Sequence, residues 1–363
     1  VASPDRAARE VGRLYASVER ELLVRMASRL GQGLDREDWA ERKRSEINAV
    51  RRDADRIIGA LNRSSALQDA VTGAGETGSR TAASQLRELG VRATSGRLDV
   101  AAIERLADEL AGTVRPAHLA ISRTIEDTYR RVISSASSSL ISGVGNRRDA
   151  AQRALWDFAD AGIRGFTDRA GRRWDLASYA EMATRSASAR AAVEGHRARL
   201  QDSGIDLVQV SAEPQSCDLC APWEGAVLTL DGSGTGGGTV DMEHATRDGE
   251  TVSVPVDGSL DEARDAGLFH PNCTHATAAH LPGVSRPPQP FPNREQGAAD
   301  RDRLRALERR TRRWKQREAA ALDEAGRERA RQGVRDAQGD IRSHVAGTTA
   351  KRRREREQIT RAR

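Results

Sequence analysis

Apolar residues recur at steps of three and four from Pro4 to about Asn62, as at Val11, Leu14, Val18, Leu22 and Leu23, which is the period of an amphipathic helix. The same spacing returns in Ala83 to Leu89, in Val100 to Leu110, and in a run from Pro116 through Ile121, Ile125, Val132 and Ile133 to Leu140. It gives way to strand-like alternation at "GIDLVQVSA", Gly204 to Ala212. A chain with this switch folds as α+β, with a mostly helical N-terminal region ahead of a small β domain. "GQGLD", Gly31 to Asp35, breaks the first helical run, and the second helix passes through Trp39, Ile47, Val50 and Ile57 to make a helical hairpin. "TGAGETGS", Thr72 to Ser79, reads as a glycine-rich loop, and no lysine follows it in the register of a phosphate cradle.

Further on, "AGIRGFTDRAGRRWDLA" sets Phe166 and Trp174 on either side of an Asp-Arg-Ala-Gly turn, the pattern of a short β-hairpin. Helical spacing then runs from Tyr179 to about Leu200. Ile205 to Leu281 reads as a small loop-rich β domain. Its strands lie near Leu207–Ser211, Ala226–Leu230 and Thr251–Val256, with a glycine-rich loop at Gly232–Gly238 and one or two helical turns at "SLDEARDAG". "PGVSRPPQPFP", Pro282 to Pro292, can continue neither a helix nor a central strand. Beyond it, Arg294 to about His344 predicts one long helix or a helical pair, and "KRRREREQITRAR" reads as a mobile tail. The expected organisation is a helical region at 1–160, an α+β domain at 161–282, a Pro-rich linker at 283–293, and a basic C-terminal helix and tail at 294–363.

Aromatic residues make up 3% of the 363 and charged residues 31%, a supply that suits lightly packed helices better than a thick enzyme core. The net charge of +6 is concentrated: from Asp300 to Arg363 there are 21 Lys and Arg against 11 Asp and Glu. Such a surplus attracts polyanions. Glu308, Glu318, Glu324 and Glu328 are placed to neutralise much of it through pairs along a helix, whereas Lys351, Arg352, Arg353 and Arg354 stand clear of them. The N-terminal "VASPDRAAREVGRLY" lacks the apolar run of a signal peptide, and no stretch approaches the ~20 apolar residues of a membrane span. No membrane partner is expected.

Three cysteines, two of them in a C-x-x-C pair, fit a reducing compartment rather than a disulfide framework. Cys217 and Cys220 have the spacing at which two thiolates approach one ion from a tight turn. Cys273 follows after 52 residues, with His270 three positions before it and His275 two after, enough to complete a Cys3His structural zinc site. The alternative is three reduced, partly buried cysteines, with the His-Pro-Asn-Cys segment shaping a turn. Cys–His nucleophilic catalysis through Cys273 with His275 or His280 is a further reading that the two-residue spacing supports poorly. Trp156, Trp174 and Trp223 read as packing anchors.

Three stretches in order, "IRGFTDRAGRRWDLASYAEMATR", "DLVQVSAEPQSCDLCAPWEGAVLTL" and "GLFHPNCTHATAAHLPG", resemble the phage minor capsid protein 2 family of tailed bacteriophages, related in role to Mu-F-type head morphogenesis proteins. The resemblance is specific over about Gly162 to Gly283. It implies a structural minor component of the virion head, assembled in the host bacterial cytoplasm, oligomeric on the particle and associated with the portal. It also implies a part in DNA packaging or ejection, with no catalytic residues. The basic residues 351–354 would then face packaged DNA or an acidic surface such as the portal. The competing functional reading is a metal-dependent, HNH-like nuclease built on the same Cys and His residues, against which stands the presence of only one C-x-x-C pair.

Overall fold

The computed structural model describes residues 4–91, 99–141, 146–161, 166–167, 173–174, 176–233, 236–270, 273–292 and 294–359. In chain order the helices begin with α1 (Pro4–Gly31), α2 (Trp39–Ser45), α3 (Ile47–Asn62), α4 (Ala66–Glu88), α5 (Val100–Ile141) and α6 (Arg147–Ala161). A hairpin of β1 (Phe166–Thr167) and β2 (Arg173–Trp174) precedes α7 (Leu176–Asp202). The β region holds β3 (Leu207–Val210), β4 (Val227–Thr229), β5 (Gly238–Glu243), β6 (Thr251–Val256), β7 (Gly258–Ser259), α8 (Leu260–Asp265) and β8 (Thr277–Ala279). Two helices, α9 (Arg294–Ala319) and α10 (Glu324–Ala346), complete the chain ahead of a 3-10 turn at Arg354–Glu357. The protein is thus mostly helical α+β, as the periodicity predicts.

By packing, the chain forms two units: Val1–Ala8, Ala66–Ala111 and Met182–Arg301 make one, and Arg9–Ser65, Gly112–Glu181 and Asp302–Arg363 the other. In the first, a four-stranded sheet has the order β7-β4-β3-β8, with β3 antiparallel to both β4 and β8 and β4 parallel to β7. Alternation along β3 and β4 sends Val208, Val210, Leu228 and Leu230 to one face, where they pack with Ala82 and Leu86 of α4, Val193 and Leu200 of α7, and Leu260, Leu268 and Phe269. Leu207 and Val227 point the other way and meet Val254 and Val256 of the β5–β6 ribbon. α8 starts at a capping box, in which the Ser259 side chain accepts from the Glu262 backbone N–H and the Glu262 side chain accepts from that of Ser259.

The stretch 72–79 is helical, which corrects the loop expected there: it forms the middle of α4. Its glycines serve packing rather than turning. A Cβ on Gly78 would lie 1.8 Å from the Ala192 carbonyl oxygen, and one on Gly195 would lie 2.1 Å from that of Gly75. The backbones of α4 and α7 therefore touch where side chains would hold them apart.

In the second unit the apolar stripes of α1, α3 and α5 bury Tyr15, Leu23, Met26, Leu30, Ile121, Ile125 and Tyr129. Three polar side chains inside it are partnered. Tyr15 Oη meets His118 Nε2 at 2.9 Å, Tyr129 Oη donates to Glu46 Oε2 at 3.1 Å, and Trp39 Nε1 donates to the Leu30 carbonyl at 2.9 Å. The "GQGLD" break falls between α1 and α2, with Gly33 at φ 67°, and a further interruption at Glu46 divides the second helix into α2 and α3. Phe166 pairs with Trp174 as the hairpin reading requires, and the turn expected between them lies outside the described residues.

α5 corrects a second expectation, because it runs straight through Pro116, where a helix start was read. The lost hydrogen bond and ring clash cost ~3 kcal/mol. Leu110, Val114, Ala117, Ile121 and Ile125 keep the apolar stripe in phase across the proline, and all are buried. The C-terminal stretch is a helical pair, in which Gly333 of α10 lets Trp314 of α9 approach so closely that a Cβ would lie 2.2 Å from its ring. Trp156 is a packing anchor: its Nε1 donates to the Arg317 carbonyl at 3.2 Å and its ring lies under the Arg317 and Arg329 guanidinium groups.

Residues 351–359 pack against the helical pair, where the sequence reads as a mobile tail. Arg312 donates to the Arg356 carbonyl at 2.6 Å, Arg352 pairs with Glu357 at 2.6 Å, and Ile359 is buried. The acid of this charge-rich segment is buried and paired, which composition does not reveal.

Candidate metal centre

The register of β3 against β8 creates the site. Val210 pairs with Thr277, so the chain leaving β3 and the chain entering β8 lie at one end of the sheet. The Ser211 N–H donates to the Ala276 carbonyl at 2.9 Å and extends the ladder one step toward the site. The first segment then turns tightly: the N–H groups of Cys220 and Ala221 both donate to the Cys217 carbonyl, at 3.2 and 2.9 Å, and a 3-10 turn follows at Ala221–Trp223. This puts both knuckle thiols on one turn. On the second segment the Cys273 N–H donates to the His270 carbonyl at 2.9 Å, which folds His270, Cys273 and His275 back on themselves. Phe269, just before His270, holds φ 62°, a conformation that costs a bulky residue about 1–3 kcal/mol and is held here by burial of its ring in the sheet core.

All five Cys and His residues expected at the site are brought together. Their donor atoms form two triads within 4.8 Å that share Cys220: Cys217, Cys220 and His270, and Cys220, Cys273 and His275. Cys217 Sγ lies 3.0 Å from His270 Nε2, Cys220 Sγ 3.5 Å from Cys273 Sγ, and Cys273 Sγ 3.4 Å from His275 Nδ1. Two thiolates on one tetrahedral zinc ion stand ~3.8 Å apart, as follows from Zn–S bonds of about 2.3 Å. The donor set and these spacings fit a metal ion of that kind, and the cluster could hold one. His280 goes elsewhere, with Nδ1 3.3 Å from Gln209 Oε1.

One member of the site escaped the sequence reading. Glu224 carries a side chain with 0% exposure, and its Oε1 accepts from His275 Nε2 at 3.0 Å and from the Glu213 N–H at 2.8 Å. Ser216 Oγ lies 3.5 Å from the same His275 nitrogen. The signal was slight: one acid between Trp223 and Gly225, within the turn that carries the cysteines.

Electrostatics follow from this packing. The Cys220 thiol first, and then the side-chain and backbone N–H groups of His275, donate to Cys273 and hold it well below the usual thiol value despite burial. Burial works to lower His275, yet its hydrogen bonds to Cys273 and Glu224 prevail and raise it to about 8. A thiolate beside an acid-anchored imidazole is a ready pair of metal donors.

The basic residues expected to meet a polyanion lie in the second unit. Lys351, Arg353 and Arg354 are exposed, whereas Arg352 is engaged with Glu357. Along α9 and α10 the predicted acids do pair: Glu308 with Arg305, Glu318 with Arg331, and Glu324 and Glu328 with Arg331 and neighbouring arginines. Among the described residues, no helix is long and apolar enough to cross a membrane.

The fold and site define a class: a helical framework carrying a small β module whose loops converge on a Cys/His cluster. A family model described as Phage minor capsid protein 2 matches residues 4–346, and the chain belongs to that family. It is a structural protein of the phage head. No curated protein and no solved structure matches the chain.

Proposed function

We propose that this chain sits at the portal vertex of a tailed-phage head, in several copies, and takes part in head morphogenesis and in DNA packaging or ejection. The observation that carries the reading is the family match across residues 4–346, nearly the whole chain. Assembly takes place in the host cytoplasm and the protein ends in the virion, with other head proteins as its partners and no membrane contact. The work is divided along the chain. The helical region at 1–160 docks on a symmetric partner, the module at 161–282 supplies a rigid centre, and 294–363 faces nucleic acid beyond the linker at 283–293. Lys351, Arg353 and Arg354, with Arg352 held beside them, meet packaged DNA through charge alone.

The metal of the Cys/His cluster is a structural zinc ion, held by thiolates and imidazole from Cys217, Cys220, Cys273 and one of His270 and His275. Its role is to staple loops that carry little apolar surface of their own. The reading assigns the chain no reaction.

Cross-linking followed by mass spectrometry on purified particles tests the placement. Links to the portal protein are expected, and links confined to the major capsid lattice would overturn it. A plasmid-nicking assay with zinc, magnesium or manganese tests the structural role: intact plasmid is expected, and metal-dependent nicking abolished by Cys220→Ser would replace it with the nuclease reading.

A further inference from the structure

Five donors form two triads that share Cys220, whereas a tetrahedral ion takes four ligands, and the two histidines are not equivalent. His275 has a side-chain exposure of 2% and its Nε2 is committed to Glu224, a carboxylate with 0% exposure. Its other nitrogen, Nδ1, faces Cys273 Sγ at 3.4 Å and belongs to the triad with Cys220. His270 offers Nε2 to Cys217 Sγ at 3.0 Å, among residues that are only partly buried.

A buried carboxylate is expensive to keep away from water, and Glu224 Oε2 has no hydrogen-bond partner among the described residues. Its Oε1 accepts from the Glu213 N–H and from one nitrogen of an imidazole whose other nitrogen looks into the thiol cluster. Metal-bound imidazoles are commonly held this way, with one nitrogen on the ion and the other N–H on a carboxylate that fixes tautomer and orientation.

Resting on the zinc reading above, we propose that Glu224 is the positioning residue that selects His275, through Nδ1, as the imidazole ligand beside Cys217, Cys220 and Cys273. His270 instead donates Nε2–H to the Cys217 thiolate and supports it from outside the coordination shell. Glu224 and His275 thus act as one unit, built from the 3-10 turn after the knuckle and the approach to β8. The knuckle turn supplies two ligands and also the group that aims a third.

The test uses the full chain, loaded anaerobically with Zn²⁺ and titrated with a competing chelator, and in parallel loaded with Co²⁺ for absorption spectra. Wild type is expected to bind one ion per chain. His275→Gln and Glu224→Gln should each weaken zinc by about 10–100-fold, while His270→Gln shifts it by less than about threefold. The cobalt d–d bands should change with His275→Gln and stay in place with His270→Gln, which a purely structural role for either histidine would not produce. Glu224→Gln keeps an acceptor for the Glu213 N–H, so the turn is retained, and the two histidine variants carry the test independently of it.

Equal losses in both histidine variants, or unchanged affinity in Glu224→Gln, would overturn the selection while leaving the zinc site standing. Wild-type protein that takes up no stoichiometric zinc would instead remove the reading beneath it.

Discussion

At the scale of the residue, two glycines of α4 separate helix propensity from packing. Among the described residues a Cβ on Gly73 meets nothing within 4 Å, whereas one on Gly78 would sit 1.8 Å from the Ala192 carbonyl oxygen. Gly73→Ala should stabilise the protein by ~0.5–1 kcal/mol through propensity alone, and Gly78→Ala should destabilise it by ~1–3 kcal/mol because backbone cannot yield. Thermal melts of the pair check the opposite signs. Buried histidines set a pH response. His118, through burial and then the charge of Arg115, and His196, through burial, are both lowered from 6.5 to about 4. Between those values the unfolded chain binds more protons, so stability is full above about pH 6.5 and falls as pH drops toward 4. Melting temperatures at pH 7.5 and pH 5 should show the loss, and His196→Gln should flatten the profile.

At the scale of the element, the sequence was most legible where one period persists. α1, α7, β3, β4 and β6 lie where apolar spacing places them, and Phe166 pairs with Trp174 as the spacing of the two aromatic residues predicts. It was least legible where glycine and proline, which usually punctuate the chain, serve another purpose. The glycines of α4 admit α7, and Pro116 sits in a helix whose buried stripe continues unchanged on both sides. Neither function is visible without the partner surface. The C-terminal segment repeats the lesson: a run of arginines folds back because Glu357 is buried against Arg352 and Gln338. Truncation after Gly347 removes buried Ala350, Glu357 and Ile359, and should lower stability by an amount on the order of 2 kcal/mol. The same truncation should weaken binding to duplex DNA more at low than at high salt. Calorimetry and a binding assay at two salt concentrations read the two effects separately.

At the scale of the whole molecule, the two packing units interleave in sequence, each assembled from three separate stretches. On the zinc reading proposed above, metal removal should act on one of them first. Chelator treatment should melt the unit that holds the sheet, exposing amides of β3, β4 and β8 to hydrogen exchange, while α1, α3 and α10 stay protected. Uniform deprotection would contradict a local staple.

By itself the sequence determined the helix-to-sheet switch near Gly204, the family membership carried by three ordered stretches, and the five Cys and His residues that the fold gathers into one cluster. Those are properties of local spacing and residue type, which need no partner to be read. Only the tertiary structure decided that residues 72–79 are helix, that 351–359 pack, and that Glu224 stands behind His275. Each depends on a surface brought close by folding: a helix backbone, a buried acid, or an imidazole 51 positions away along the chain.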